Sequence, residues 1–312
     1  MMKETILITG FSGCIGSSAL RWLRENFEGE IVGIARKESD GPDRVFTGDI
    51  TDPKFLNETI QDVRPTRIIH LAGFQTPDCQ NRPFDGYGVN VEGTANLLRA
   101  AASLEKEHLQ RVVFASSAAV YGPRSLYPGE TVKEDAGLLP PNLYGHWKVA
   151  GEGIAQAFHL ETDVPTVSLR LATTYGPGRD LGLTSAPTTA MKRAAAGEDF
   201  SMPYQGREHY HFVDDVGAAF AIAATADFSA YGVFNIRGFS MENSEFIKLI
   251  GSTASSLDFP ESRLTTASDA KKMPFVCDLD ETAICRAFPT MPKTETNEGV
   301  KRSLEFFRSL DS

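Results

Sequence analysis

Tyr144 and Lys148 stand four residues apart in the run LYGHWKVAGEGIAQAF, near the middle of a chain of 312 residues. In a helix, positions i and i+4 share a face, so the phenol and the ammonium look into one cleft. A nearby cation favours tyrosinate and lowers a phenol pKa that starts near ~10. Each unit of lowering is about 1.4 kcal/mol, and a few units turn Tyr144 into a proton acceptor near neutral pH. The same spacing also describes a half-buried tyrosine beside a solvated lysine, so the meaning of the pair depends on what the rest of the chain places around it.

The elements that must position the pair begin at the N-terminus. ETILITG is a short apolar run ending in Gly10, Phe11, Ser12, Gly13, Cys14, Ile15 and Gly16, after which Ala19, Leu20, Leu23 and Phe27 recur at helical spacing. Strand, glycine turn and helix make the phosphate-binding unit of a doubly wound sheet. Gly10, Gly13 and Gly16 allow a tight turn and close approach to a pyrophosphate, while the free N–H groups opening the helix, at Cys14 and Ile15, face the anion. The second strand, EIVGIAR, ends about 20 residues beyond the glycines, where an acidic residue would meet an adenosine ribose. Ala35, Arg36 and Lys37 stand there instead. Two cations suit a ribose 2′-phosphate, so NADP is the expected cofactor; NAD is the alternative, with Asp40 or Asp43 bending back to the ribose.

RVFTGDI supplies a third strand, with Asp49 and Ile50 placed to flank an adenine. Asp52 and Pro53 open the next helix as N-cap and first helical residue. The fourth strand, RIIHLAGF, ends in Leu71, Ala72 and Gly73, small enough for a cofactor to lie across its tip. Phe74, Gln75 and Thr76 follow as a loop that either lines a substrate entrance or carries ordinary polar decoration. NVEGTANLLRAAASLE reads as a helix whose first residue, Asn90, either caps it or supports the site. The fifth strand, RVVFASSAAVYG, breaks into small hydroxyl residues where ligands sit in open sheets.

Charge and composition narrow the classes. The net charge of −10 disfavours nonspecific binding to nucleic acid or anionic membranes. No apolar run approaches the length of a membrane span, the chain passes at once into a strand, and a cytoplasmic location is expected. Cys14, Cys79, Cys277 and Cys285 have neither metal-binding spacing nor a disulfide framework, so they are read as reduced thiols and no metal is expected.

TGFSGCIG, LAG, ASSAAVYG, YGHWK, RLATTYGPG and FVDDV occur in the order seen in the extended short-chain dehydrogenase/reductases. From Ile6 to about Ile236 the chain resembles that group, the NAD-dependent epimerase/dehydratase family. The resemblance implies a Rossmann-type α/β fold, a doubly wound parallel sheet with a smaller C-terminal substrate-binding lobe. The expected division is 1–170 for the dinucleotide-binding domain, with later elements returning to it, and 171–312 mainly for the lobe. It also implies that Ser117, four residues before Tyr121, hydrogen-bonds the reacting oxygen, that Tyr144 is the acid/base, and that Lys148 holds the nicotinamide ribose and lowers the Tyr144 pKa. Ser116 is the alternate for Ser117, because a one-residue slip on a strand faces the opposite way.

Departures from the family pattern carry information too. Ala118 and Ala119 stand where dehydratases of the family keep an acid and a base, which argues against elimination of water. Thr173 replaces the asparagine by which many nucleotide-sugar epimerases meet the substrate. Glu208 takes the place of a diphosphate-binding arginine, with Arg207 displaced by one; Arg179 and Arg207 remain near the cleft in sequence. Relatives commonly dimerise through the helices after the fourth and fifth strands, so a homodimer is expected, with Ala150, Ile154, Ala157 and Phe158 either forming that face or packing on the sheet.

In the lobe, SAPTTAMKRAAAG, DDVGAAFAIAATA and MENSEFIKLIGSTASS read as helices, the second capped by Asp214. A last amphipathic helix turns Leu304, Phe307 and Leu310 inward. His209 and His211 are expected on opposite sides of an extended strand, against a two-histidine metal site; either could meet a polar substrate, and His209 is kept as a candidate. His146 lies off the catalytic face.

The expected activity is an NAD(P)-dependent oxidoreductase that transfers hydride at a secondary alcohol or ketone of a small, polar, sugar-like substrate. Hydride transfer needs removal of the hydroxyl proton, a donor on the developing oxygen and a cofactor held against the carbon. A nucleotide-sugar 4-epimerase with tightly bound NAD, using the same three residues, is the alternative; a non-catalytic cofactor-binding sensor or scaffold is the alternative of another class.

Overall fold

The computed structural model describes residues 4–105 and 107–310. In chain order the strands are β1 (Thr5–Thr9), β2 (Glu30–Ala35), β3 (Arg44–Thr47), β4 (Arg67–His70), β5 (Arg111–Ser117), β6 (Thr166–Leu171), β7 (Thr173–Tyr175), β8 (Phe200–Gln205), β9 (Arg207–Phe212), β10 (Tyr231–Asn235), β11 (Phe239–Glu242) and β12 (Leu264–Lys272). The helices are α1 (Cys14–Asn26), α2 (Pro53–Val63), α3 (Thr76–Asn81), α4 (Pro83–Tyr87), α5 (Gly93–Ala102), α6 (Leu143–Thr162), α7 (Ala186–Ala195), α8 (Val213–Thr225), α9 (Asn243–Ser256), α10 (Thr282–Ala287) and α11 (Thr296–Leu310).

Seven strands form a parallel sheet in the order β10-β6-β5-β4-β1-β2-β3. Every residue of β1, TILIT, is buried, as in a strand covered on both faces. Its alternation divides the core in two. Ile6 and Ile8 pack with Leu23, Val216 and Phe220 of α1 and α8, whereas Leu7 packs with Leu56, Leu97 and Phe158 of α2, α5 and α6. The strand order reverses between β1 and β4, which opens a crevice at the carboxyl ends of these strands.

Local signals explain how the layers close. The Asp52 carboxylate accepts from the N–H groups of Lys54 at 2.9 Å and Phe55 at 3.2 Å, with Pro53 in the first turn; such a cap contributes about 1 kcal/mol. A Cβ at Gly217 would lie 2.2 Å from Ser18 Oγ, so glycine lets α8 approach α1 closely. Asp214 does not cap α8. The chain passes from β9 into the helix at Phe212, leaving Asp214 inside the first turn, where it pairs with Arg21 at 2.8 Å and Arg302 at 2.7 Å and ties α8 to α1 and α11. Leu304 and Phe307 of α11 are buried as expected, but Leu310 is 66% exposed because the helix runs past the core there.

Three departures from the sequence reading shape the cleft. After the expected loop, which carries Phe74 and Gln75, Thr76 opens α3, and α3 and α4 lead through one π-helical turn, Gly88–Glu92, into α5. Asn90 therefore sits buried inside that turn rather than at a helix start. RLATTYGPG spans parts of two strands. It breaks at Ala172, and β7 leaves the main sheet to pair with β9, in a small sheet ordered β11-β9-β7. Finally β8 pairs with β12, an element with no alternating pattern to announce it. The lobe's own core joins Tyr175, Phe212, Phe246, Val300 and Leu304. Phe158 and Ile154 pack toward the sheet, whereas Ala157 is exposed. Among the described residues no helix is long and apolar enough to cross a membrane.

Candidate active site

Gly10 adopts φ +72°, and a Cβ there would stand 2.8 Å from Ala72 N; a Cβ at Gly16 would stand 2.3 Å from Gly10 O. Only glycine fits these two contacts, which press the β1–α1 turn against the tip of β4. Gly13 is the N-cap of α1 and supplies no side-chain cap. The first-turn N–H groups are thus left facing the crevice, an arrangement that fits a dinucleotide pyrophosphate. Beneath the turn, Thr9 Oγ1 contacts His70 Nδ1 at 2.6 Å, and His70 Nε2 contacts Thr94 Oγ1 at 3.0 Å. Burial, with help from the Lys148 charge, pushes His70 down to about 3, so this imidazole is a neutral brace between β1, β4 and α5.

The Asn142 side chain accepts from Gly145 N–H at 2.9 Å and starts α6. A Cβ at Gly145 would come within 2.2 Å of Ala119 O, so glycine lets the helix start press on the exit of β5. That contact brings Tyr144 to Ser117. One turn on, Lys148 Nζ donates to Ala115 O at 2.7 Å and lies 5.7 Å from the Tyr144 ring centroid. Helical spacing therefore delivers both groups to one cleft. The expected tyrosinate is corrected, however: burial raises the Tyr144 pKa, and the Ser117 hydrogen bond and the Arg179 charge only partly offset it. Burial also pushes Lys148 down to about 8. A desolvated cation at this distance does not overcome the cost of placing a phenolate in the same enclosed space. In this state Tyr144 is a neutral phenol.

Ser117 and Ser116 both border the cavity but take different partners. Ser117 Oγ accepts from Ala119 N–H at 3.1 Å, donates to Leu171 O at 3.4 Å and lines the same cavity as Tyr144. Ser116 Oγ donates to Glu152 Oε1 at 2.5 Å; Glu152 takes Arg170 through two contacts of 2.8 Å, and Arg170 donates to the Tyr121 hydroxyl at 2.6 Å. Ser116 and Tyr121 belong to a buried network tying β5, α6 and β6 together.

Asn90 holds the tip of β4. Its Oδ1 accepts from Phe74 N–H at 2.7 Å, and its Nδ2 donates to Phe74 O at 3.0 Å. A Cβ at Gly73 would lie 3.1 Å from Asn90 Oδ1 and 3.5 Å from Lys148 Nζ, so Gly73 keeps this corner open. Arg36, exposed after β2, lies 5.9 Å from the Phe74 ring. Asp43 is spent on Ile31 N–H and Arg24 rather than turned toward a ribose. The Asp49 carboxylate accepts from Thr51 N–H and its hydroxyl at 2.9 Å each, and Ile50 is buried beneath α5.

A cavity of about 330 Å³, within the usual range for small-molecule sites, joins the glycine turn to Ser117, Tyr144 and Lys148, while Arg36, Asp49, Ile50, Ala72 and Asn90 are not among its lining residues. Gly10, Gly13, Cys14, Ile15, Gly16, Leu71, Gly73, Ser117, Tyr144 and Lys148 line it, and Phe74, Gln75, Thr76, Thr173 and Arg179 form its outer wall. Arg207 and His209 lie outside. Arg207 is at the surface, paired with Asp278 at 2.8 Å, because alternation along β9 turns it from the cleft. His209 is buried with Nδ1 3.0 Å from Ser240 Oγ. His209 and His211 are on the same side of β9, with ring centroids 5.0 Å apart, since residues two apart on a strand share a face. Among the described residues no group of three or more metal-binding side chains occurs. His146 is exposed.

Sequence reasoning missed Thr184, Pro274, Phe275 and Val276, which close the cavity from unpatterned segments. It also missed the use of His211. Its Nε2 accepts from Ala172 N–H at 2.9 Å while Nδ1 donates to Arg237 O at 2.7 Å, fixing a neutral imidazole at the β6–β7 break.

Residues 6–236 match the model of the NAD dependent epimerase/dehydratase family. A UDP-glucose 4-epimerase of Mycolicibacterium smegmatis is 27% identical over 321 residues, covering 97% of this chain and 98% of that protein. A D-erythronate dehydrogenase of Cupriavidus necator is 33% identical over 190 residues, 56% of each chain. The crystal structure of a UDP-glucose 4-epimerase from Thermotoga maritima superposes with a TM-score of 0.82 at 23% identity, covering 99% of this chain and 100% of that one.

Proposed function

The chain belongs to the NAD-dependent epimerase/dehydratase family, and from that premise we propose that Tyr144, Lys148 and Ser117 carry out redox chemistry at a secondary alcohol or ketone of a sugar-like substrate. The observation that carries this reading is the convergence of the three side chains at one cavity with the uncapped start of α1. A bound nicotinamide dinucleotide supplies the acceptor or donor of the hydride.

The protein's own part is proton handling and orientation. As a neutral phenol, Tyr144 can protonate the oxygen of a ketone as it becomes an alcohol; in the reverse direction it takes that proton back. Ser117 hydrogen-bonds the same oxygen. Lys148, held by Ala115 O, supplies positive charge beside the phenol. Ala118 and Ala119 offer no second acid or base, which supports redox chemistry over dehydration. The glycine turn, Leu71, Ala72, Gly73, Asp49, Ile50 and Asn90 are assigned to holding or supporting the cofactor, within a dinucleotide-binding part (1–170 and its returning elements) and a lobe (171–312). Arg36 and the absence of a carboxylate at the end of β2 favour NADP, with NAD second. A cytoplasmic homodimer through the helices after β4 and β5 completes the proposal.

A relative matched over nearly its full length is a UDP-glucose 4-epimerase, which supports a second reading in which oxidation and reduction occur at one carbon without net consumption of cofactor. A panel of sugars, sugar acids, polyols and nucleotide sugars, assayed by reduced-nicotinamide absorbance with NAD and NADP, separates the two. Stoichiometric cofactor reduction supports the oxidoreductase; bound cofactor on purification with sugar inversion and no net absorbance change overturns it in favour of the epimerase.

A further inference from the structure

Charge along the cavity wall is of one sign. Lys148 and Arg179 are lining cations, and no aspartate or glutamate is among the lining residues. Lys148 is already engaged at the reaction centre. Arg179 meets only neutral partners: Nη1 donates to Gln75 Oε1 at 2.9 Å, Nη2 to Thr184 Oγ1 at 3.2 Å, and Nε is buried with no acceptor. The neighbouring Asp180 pairs with Lys192 instead. Gly178 and Gly182 flank this arginine with φ of +83° and +101°, and a Cβ at Gly182 would stand 2.2 Å from Gln75 Oε1 and 3.1 Å from Arg179 Nη2. Gly182 thus clears the space in which the guanidinium and Gln75 meet, while Gly178 borders Cys14. Arg179 and Tyr144 line the same cavity, so the guanidinium and the phenol face one enclosed space.

Thr173, a neutral part of the wall, is backed by a carboxyl group that does not itself line the cavity. Thr173 Oγ1 donates to Glu208 Oε2 at 2.5 Å. Glu208 is 0% exposed and also accepts from the Tyr210 hydroxyl at 3.0 Å and from Asn243 Nδ2. No lysine or arginine pairs with it among the described residues. Burial raises the Glu208 pKa, and the side chain stands behind Thr173 rather than in the lining, so this part of the wall brings no positive charge to a diphosphate. Thr173, its proton committed to Glu208, presents lone pairs to a hydroxyl donor.

Building on the oxidoreductase reading, we infer that the substrate is a free polyhydroxy carboxylic acid, its carboxylate held by Arg179 and its hydroxyl chain running toward Thr173. With two of its N–H groups given to Gln75 and Thr184, the guanidinium keeps donors for the two oxygens of a carboxylate, and no second arginine stands by to meet a phosphate dianion.

The test uses the full chain with NAD or NADP. Aldonates and uronates are compared with polyols and aldoses of matching configuration, sugar phosphates and UDP-hexoses, by cofactor reduction and by calorimetric binding to the protein–cofactor complex. The acids are expected to exceed their neutral counterparts in kcat/KM by on the order of 100-fold, and Arg179→Gln to collapse that ratio through KM rather than kcat. Arg179→Lys should recover part of it. A preference for neutral sugars, sugar phosphates or UDP-hexoses, or equal losses for acid and neutral substrates in Arg179→Gln, overturns the inference while cofactor-linked turnover keeps the oxidoreductase reading. Conversely, Arg179-dependent binding of an acid without cofactor reduction sustains the carboxylate site and overturns the redox reading. No binding of any acid together with no cofactor reduction by any compound of the panel removes both.

Discussion

Thr173 donates its hydroxyl proton to Glu208 across 2.5 Å, joining β7 to β9 directly behind the cavity wall. Thr173→Val keeps the shape and removes the donor, leaving one oxygen of a buried carboxylate without its partner. The expected loss is about 1–3 kcal/mol, read from urea denaturation. Glu208→Gln removes the charge but keeps an acceptor for Thr173, and should cost less than Thr173→Val. A Thr173→Val protein as stable as the parent would show that the bond contributes nothing.

Tyr144→Phe removes the phenolic proton while keeping the ring beside Lys148 and Ser117. Turnover should fall by about 10²–10⁴-fold, with cofactor affinity, measured by fluorescence titration, changed by no more than a few-fold. Retained turnover would assign the proton to another group.

Lys148, pushed down to about 8 by burial, sets the alkaline limit of the free protein. Its cation is present below that pH and lost above it. Because kcat/KM reports free-protein ionisations, ketone reduction should hold steady through neutral pH and decline as pH rises through about 8. A profile flat well beyond that pH would mean that the Lys148 charge is not needed.

Arg36 lies at the open end of β2 with Phe74 as its ring contact. Arg36→Ala should weaken NADP more than NAD by on the order of tenfold, the scale of a charge-assisted contact to phosphate. Equal losses for both cofactors would place the 2′-phosphate elsewhere or nowhere.

His70, held down to about 3, and His211, held down to about 4, stay neutral in the fold while the unfolded chain takes up protons below about 6.5. Unfolding then binds protons, so stability is lost as pH falls from the unfolded pKa toward the folded one. Between pH 6.5 and 5, each such histidine costs about 2 kcal/mol. Urea midpoints at pH 7 and 5 should differ accordingly, and His70→Asn should flatten the difference.

Much of the fold was legible because its signals are local. The buried alternation of β1, the glycines at 10, 13 and 16, the Asp52–Pro53 helix start and the four-residue step from Tyr144 to Lys148 each depend on neighbours within a few residues, and periodicity reports such neighbours directly. The break at Ala172 and the π-helical turn around Asn90 were not legible, since each is set by a distant partner: His211 for the first, the Phe74 backbone for the second.

By itself, then, the sequence determined a strand–glycine–helix nucleotide cradle and a phenol–ammonium pair, features specified by residue type and spacing. Only the tertiary structure decided that Ser117 rather than Ser116 faces Tyr144, that burial outweighs Lys148 and keeps the phenol protonated, and that Arg207 and His209 lie outside the cavity while Arg179 meets Gln75 from 104 residues away. Desolvation and charge depend on everything packed around a group, and contacts across such separations are made by the topology of the sheet rather than by any pattern along the chain.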